Sequence, residues 1–106
     1  MIKKLLLILF ISISSFAFAQ EGTLKDLVAT PNPFSNNTMI KFNSSSNQNV
    51  IITIKNVLGK TVYRKMVRAN EGNNAVPFEK RDLLSGIYIY AIQSNKDFIS
   101  KRFVIK

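Results

Sequence analysis

The chain has 106 residues, with 15 Lys or Arg against six Asp or Glu, a formal net charge of +9, and neither Cys nor His. That length holds one small domain. The missing residue types exclude disulfides, thiol nucleophiles and imidazole bases, and leave a transition-metal site without its usual ligands.

The N-terminus reads as an export signal. Met1-Ile2-Lys3-Lys4 is a short positive stretch, and Leu5 to Phe16 is an apolar run of signal-peptide length. Ala17-Phe18-Ala19 places small residues where signal peptidase needs them. A membrane-spanning helix needs about 20 apolar residues, and here polar Gln20-Glu21-Gly22 follows the run. Residues 1–19 are therefore expected to be a cleaved Sec signal peptide, with Ala17 and Ala19 as the signal peptidase site. The mature chain, residues 20–106, is not expected to span a membrane. It keeps thirteen Lys or Arg against six carboxylates, a net charge of +7. A basic balance usually points to nucleic acid, anionic lipid or acidic glycan. Export speaks against nucleic acid, and the plainest account is that Lys and Arg fill the solvent positions of strands.

The mature chain is a series of short alternating segments broken by Gly, Pro, Asn and Ser, the spacing of a β-sandwich or barrel. Thr23 to Ala29 predicts a weak first strand, ended by Thr30-Pro31-Asn32-Pro33-Phe34. Thr38 to Phe42 predicts a second, with Thr38, Ile40 and Phe42 on one face. The polar run Asn43 to Asn49 predicts a loop. Val50 to Asn56 predicts a strong strand with Val50, Ile52 and Ile54 inward. Val57-Leu58-Gly59-Lys60 predicts a hairpin, with Gly59 free to take φ > 0. Thr61 to Arg68 carries basic residues on both faces, Lys65 on one and Arg64 and Arg68 on the other, which predicts an exposed or edge strand. Ala69 to Asn74 predicts a turn, and Ala75 to Glu79 a short strand that Pro77 confines to an edge. Leu83 or Leu84 is expected to plug one end of the core. Ile87 to Ile92 is apolar on both faces, with Ile87, Ile89 and Ala91 on one side and Tyr88, Tyr90 and Ile92 on the other. That pattern predicts the central strand. Ser94 to Asp97 predicts a hairpin turn into a last strand from Phe98 to Lys106. The fold class expected is all-β: a small antiparallel β-sandwich, immunoglobulin-like, of about seven strands.

No enzyme constellation stands out. No serine has a nucleophile-elbow context, and no Gly-rich phosphate loop is present. Glu79 and Asp82 are close enough in sequence to act as a carboxylate pair, but beside Lys80 and Arg81 they read as solvated loop charges. Tyr63, Tyr88 and Tyr90 read as core or half-buried strand aromatics rather than as a stacking platform. No cofactor is expected, and the chain is not expected to be an enzyme.

The order of these signals resembles a known family. Pro31-Asn32-Pro33-Phe34 follows a short strand, and a V-x-I-x-I-x-N-x-x-G-x-x-V pattern runs from Val50 to Val62. Glu71-Gly72-Asn73-Asn74 comes next, then Leu84-Ser85-Gly86-Ile87-Tyr88, then a terminal strand ending Val104-Ile105-Lys106. From about Leu24 to Lys106 the chain resembles the type A C-terminal sorting domain of the type IX secretion system of Gram-negative bacteria, the Por secretion system tail. The resemblance implies an address rather than a catalyst: Sec export to the periplasm, then recognition by the outer-membrane translocon and delivery to the cell surface or medium. It implies as partners the translocon and a surface sortase, which in this family can attach cargo to anionic lipopolysaccharide. By motif, it assigns sorting roles to Pro31, Asn32, Pro33, Gly59, Leu84, Gly86, Tyr88, Lys101, Val104 and Lys106. Turn geometry alone also accounts for the prolines and glycines. The terminal strand is the better candidate for contact, since an edge strand can be bound by strand addition. Family tails usually follow a large cargo domain, and here few residues separate the expected cleavage site from the first strand. The chain is thus either a stand-alone secreted domain or the end of a longer gene. The rival expectation is a small adhesin-like binding module that uses its basic faces on anionic glycan or lipopolysaccharide.

Overall fold

The computed structural model describes residues 22–106, and the expected signal peptide with Ala17 and Ala19 lies outside the described residues. Among the described residues seven strands follow in order: β1 (Leu24–Thr30), β2 (Asn37–Ser44), β3 (Gln48–Lys55), β4 (Thr61–Ala69), β5 (Gly72–Glu79), β6 (Gly86–Gln93) and β7 (Phe98–Ile105). They form two antiparallel sheets, β1-β2-β5 and β4-β3-β6-β7. In the seven-strand immunoglobulin scheme the fourth strand lies beside the fifth; here β4 has moved to the other sheet, beside β3.

Alternation builds the core between the sheets. Ile40 and Phe42 of β2 face Val50, Ile52 and Ile54 of β3, with Tyr90, Ile92 and Phe103 from β6 and β7, and all of these are buried. Phe103 is central. The Tyr90 ring stacks on it at 5.1 Å, and Phe34 meets it edge-on at 5.0 Å. Each such aromatic pair is worth about 0.5–1.5 kcal/mol beyond its burial.

β1 looks weak in sequence because its apolar residues do not alternate. Leu24 and Leu27 are both buried although three positions apart. A β-bulge between Lys25 and Val28 turns Leu27 back to the core. Asp26 supplies the left-handed residue there, at φ 57°, a region that Asp tolerates better than most residues.

The edges fall where charge and proline put them. β4, with Arg64, Lys65 and Arg68, is an edge of the four-stranded sheet, and β5, with Pro77, an edge of the three-stranded one. The turn expected over 69–74 shrinks to Asn70 and Glu71. The Asn74 side chain closes it, accepting the Asn70 N–H at 2.9 Å and donating to the Asn70 carbonyl at 2.9 Å, so pairing resumes at Gly72.

β6 lies inside its sheet, between β3 and β7, as expected. Its second apolar face is buried only at Ala91, which is 5% exposed. Tyr88, Tyr90 and Ile92 are buried, whereas Ile87 and Ile89 are 47% and 41% exposed. A central strand is flanked in the hydrogen-bonding direction, and this does not require a layer on each face. Of the two candidate plugs, Leu83 packs against the core, while Leu84 is 80% exposed.

Candidate functional site

Register gathers the motif residues at one end of the sandwich. β1 ends there, with Thr30 opposite Met39. β6 begins there, with Gly86 opposite Ile105 at the end of β7. The β3–β4 hairpin turns at the same end, since Lys55 pairs with Ile89. A parallel bridge from Phe34 to Ile105 ties the two sheets together at this point.

That bridge is built by Pro31-Asn32-Pro33-Phe34. The Phe34 N–H donates to the Val104 carbonyl at 3.0 Å, and the Lys106 N–H donates to the Phe34 carbonyl at 2.8 Å. Proline has no N–H to place, and the Asn32 side chain does the strand's work instead. Its Oδ1 accepts the Val104 N–H at 3.0 Å, and its Nδ2 donates to the Arg102 carbonyl at 3.3 Å. Behind it, Thr38 Oγ1 donates to the Pro31 carbonyl at 2.7 Å. The expectation of a terminal strand open to strand addition is thereby corrected. The outward groups of β7 from the Arg102 carbonyl to the Lys106 N–H already have partners in residues 32–34. Only the half of β7 before Arg102 keeps an unpaired edge.

Leu84-Ser85-Gly86-Ile87-Tyr88 forms a second local device. Tyr88 Oη donates to the Leu84 carbonyl at 2.7 Å, with the ring buried 6.1 Å from Phe103. A tyrosine near the start of the sixth strand bonded to backbone a few residues upstream is the tyrosine corner of immunoglobulin-type sandwiches. Gly86 lies at φ 151°, where L side chains are rare. The Leu84 backbone serves the corner, and its side chain points to solvent. In the third device, Asn56 Oδ1 accepts the N–H groups of Leu58 and Lys60, both at 3.0 Å, and Gly59 takes φ 84°.

Nine of the ten motif residues thus share one end: Pro31, Asn32, Pro33, Gly59, Leu84, Gly86, Tyr88, Val104 and Lys106. Lys101 stands apart, exposed in mid-strand opposite Tyr90. Two residues that the motif reading passed over join the end. Val57 and Leu58 are 72% and 90% exposed on the hairpin loop. Apolar residues in a loop carry no sign in sequence of whether they plug the core or meet solvent.

Asp97, at the opposite end, also escaped the sequence reading. Its carboxylate accepts from the Thr23 N–H, from Thr23 Oγ1 at 2.8 Å and from the Leu24 N–H at 2.9 Å. The Thr23 hydroxyl, then the two backbone N–H groups, hold its pKa below the usual carboxylate value. The tether fixes where the chain enters β1. In the core, burial pushes the Tyr90 phenol above its ordinary value, partly offset by the Ala29 backbone. Glu79 meets Arg81 at 3.9 Å on the exposed surface, and among the described residues no three His, Cys, Asp or Glu gather as a metal site.

No protein of curated function matches the chain. A family model described as the secretion system C-terminal sorting domain, the Por secretion tail, matches residues 29–106, about three quarters of the sequence. That span contains the asparagine clamp, the tyrosine corner and the terminal strand, and the chain belongs to the secretion system C-terminal sorting domain family.

Proposed function

We propose that residues 20–106 act as a non-enzymatic address read by the type IX secretion machinery. Residues 1–19 deliver the chain through Sec to the periplasm, and the folded sandwich is then passed across the outer membrane to the surface or medium. The observation that carries this reading is the family match over residues 29–106. The gathering of its motif residues at one end of the sandwich supports it further. The chain enters β1 at the other end, held by Asp97. A segment joined ahead of β1 therefore leaves the motif end clear for a receptor.

The motif devices act first as structure. The asparagine clamp and the tyrosine corner make the terminal strand rigid, and the receptor reads a folded shape rather than a loose tail. A sortase that cuts ahead of the domain fits the same arrangement, because the entry to β1 is remote from the motif end. The basic balance of the chain favours one rival, a binding module for anionic glycan or lipopolysaccharide. It predicts salt-sensitive binding to such polymers.

The test is localisation. The signal peptide is fused to a fluorescent reporter followed by Gly22–Lys106, then expressed in a type IX-competent host and in its translocon-null twin. Surface or medium signal in the first, with periplasmic retention in the second, is the expected result. Periplasmic retention in both hosts rejects the sorting role.

A further inference from the structure

The two sheets differ in charge. β3, β4, β6 and β7 carry Lys55, Arg64, Lys65, Arg68, Lys101 and Arg102, and no acidic residue. β1, β2 and β5 carry Lys25 and Lys41 against Asp26 and Glu79. The charge of the strands therefore sits on one sheet. General solvation of strand surfaces does not explain that, because both sheets have an outer face to solvate.

The outer face of the four-stranded sheet also carries apolar residues between its cations, Ile51 on β3 and Ile87, Ile89 and Ala91 along β6. Register sets Met66 beside Ile51, Ile51 beside Gln93, and Gln93 beside Phe98 in one row. A second row runs Arg64, Thr53, Ala91, Ser100, and a third sets Lys55 beside Ile89 and Ile89 beside Arg102. Phe98 and Met66 are 63% and 61% exposed. On this face lies a concavity of about 420 Å³, whose lining includes Ile89, Ala91 and Phe98 together with Lys55 and Arg64. The face runs on through Ile87 toward the end that carries Val57, Leu58 and Leu84.

We propose that this face is where the sorting domain docks on its receptor, and that the receptor presents an acidic protein surface with an apolar centre. The proposal rests on the sorting reading and adds to it the surface used. The composition favours a protein over a polyanion or a membrane. Arg, Met and aromatic residues are the types enriched at protein interfaces, and Lys is depleted there. The outward cations are Arg64, Arg68 and Arg102 with Lys55 alone, and the guanidinium fork suits carboxylates in two-point contact. Four strands about 4.8 Å apart and some eight residues long give a face of roughly 500 Å². That is less than the ~800 Å² per partner of a standard stable interface. The contact is therefore weak and steered by charge, as suits a signal that is read and then released.

The reporter fusion of the full chain tests this. Arg64→Glu with Arg102→Glu is compared with Lys25→Glu with Lys41→Glu, an equal charge change on the other sheet. The first pair is expected to cut surface delivery at least tenfold and the second less than twofold, each purified chain melting within a few degrees of the parent. If the first pair lowers the melting temperature further, Arg64→Gln with Arg102→Gln replaces it. Delivery of the first pair at parental level overturns the docking surface and leaves the sorting role standing. Equal loss in both pairs also overturns it, since net charge then matters and not the face. Failure of the parent fusion to leave the periplasm rejects the sorting role itself. The purified chain is also mixed with phosphatidylglycerol vesicles and sedimented. No pelleting is expected, and pelleting abolished by Arg64→Glu with Arg102→Glu assigns the face to a membrane and overturns the protein partner.

Discussion

The Asn32 side-chain oxygen accepts the Val104 N–H at 3.0 Å across 72 residues of sequence. The same amide group donates to the Arg102 carbonyl, so one side chain replaces one rung of a β-ladder. The rung closes the last turn of the fold, where the terminal strand would otherwise fray. Asn32→Ala removes both bonds. Each is worth about 1 kcal/mol net at most, because both are open to water, so a fall of roughly 1 kcal/mol is expected. Amide exchange at Val104 should accelerate more than exchange at Ile52 in the core. Asn32→Asp keeps the acceptor but sets a carboxylate against the Arg102 carbonyl, and it should destabilise at neutral pH as well. Unchanged exchange at Val104 in Asn32→Ala would show that the clamp does not hold the strand.

Tyr88→Phe isolates the tyrosine corner. The ring stays in place beside Phe103, and only the bond to the Leu84 carbonyl is lost. The expected cost is about 0.5–1.5 kcal/mol, with the denaturant slope unchanged because the same surface is exposed on unfolding. Delivery of the reporter fusion should persist at temperatures well below the new midpoint. Loss of delivery in a chain that is still fully folded would mean that the hydroxyl has a recognition role beyond the corner.

Phe103→Ala removes the centre of the aromatic cluster. Phe34, Phe78, Tyr88 and Tyr90 all pack on that ring within 6.1 Å. Truncating a buried Phe costs about 3–5 kcal/mol, a large share of the stability of a domain this small. The variant should be largely unfolded at 37 °C, with lost near-ultraviolet dichroism. Phe98→Ala, on the exposed face of the same strand, should change stability by less than about 0.5 kcal/mol. A similar cost for both would place the core elsewhere.

Much of this architecture is legible in the sequence. Alternation puts Thr38, Ile40 and Phe42, and then Val50, Ile52 and Ile54, on their inner faces. Basic residues on both faces of β4 and Pro77 in β5 mark the edges. What escapes is what alternation cannot carry. Leu24 and Leu27 break the period because a bulge intervenes, and nothing local to Lys25-Asp26 announces it. Ile87 and Ile89 read as buried because apolar character does not say whether a layer lies above them. The motif residues are legible as a family signature, but their meeting at one end is not. It depends on Phe34 pairing with a strand some 70 residues later. The charge asymmetry of the sheets is likewise invisible until β6 is known to lie beside β3, which brings the β3–β4 and β6–β7 hairpins into one sheet.

Asp97 gives the fold one contribution to stability that acid removes. Its pKa is lowered in the folded chain by the Thr23 hydroxyl and by the N–H groups of Thr23 and Leu24. A depressed carboxylate pKa means that the unfolded chain binds the proton more readily. The stability it contributes is therefore fully present above the ordinary carboxylate value, about pH 4. It is lost as pH falls through the lower folded value. The melting temperature should be level from about pH 7 to 5 as far as this group is concerned, then decline. Asp97→Asn should melt lower at neutral pH and flatten part of the acid decline. Equal acid slopes in parent and variant would show that Asp97 is not a source of it.

Asp26 tests the bulge. The residue sits at φ 57°, a conformation that costs most L residues about 1–2 kcal/mol. Asp26→Gly removes that strain, at the expense of a more flexible unfolded chain, and should leave stability nearly unchanged. Asp26→Val places a β-branched side chain where φ is positive and should lower stability by at least about 1 kcal/mol. Valine is otherwise the better strand former, so a regular strand would predict the opposite order. Denaturant midpoints of the two variants decide between these. A valine variant more stable than the glycine variant would mean that β1 runs straight, and Leu27 would then have to leave the core.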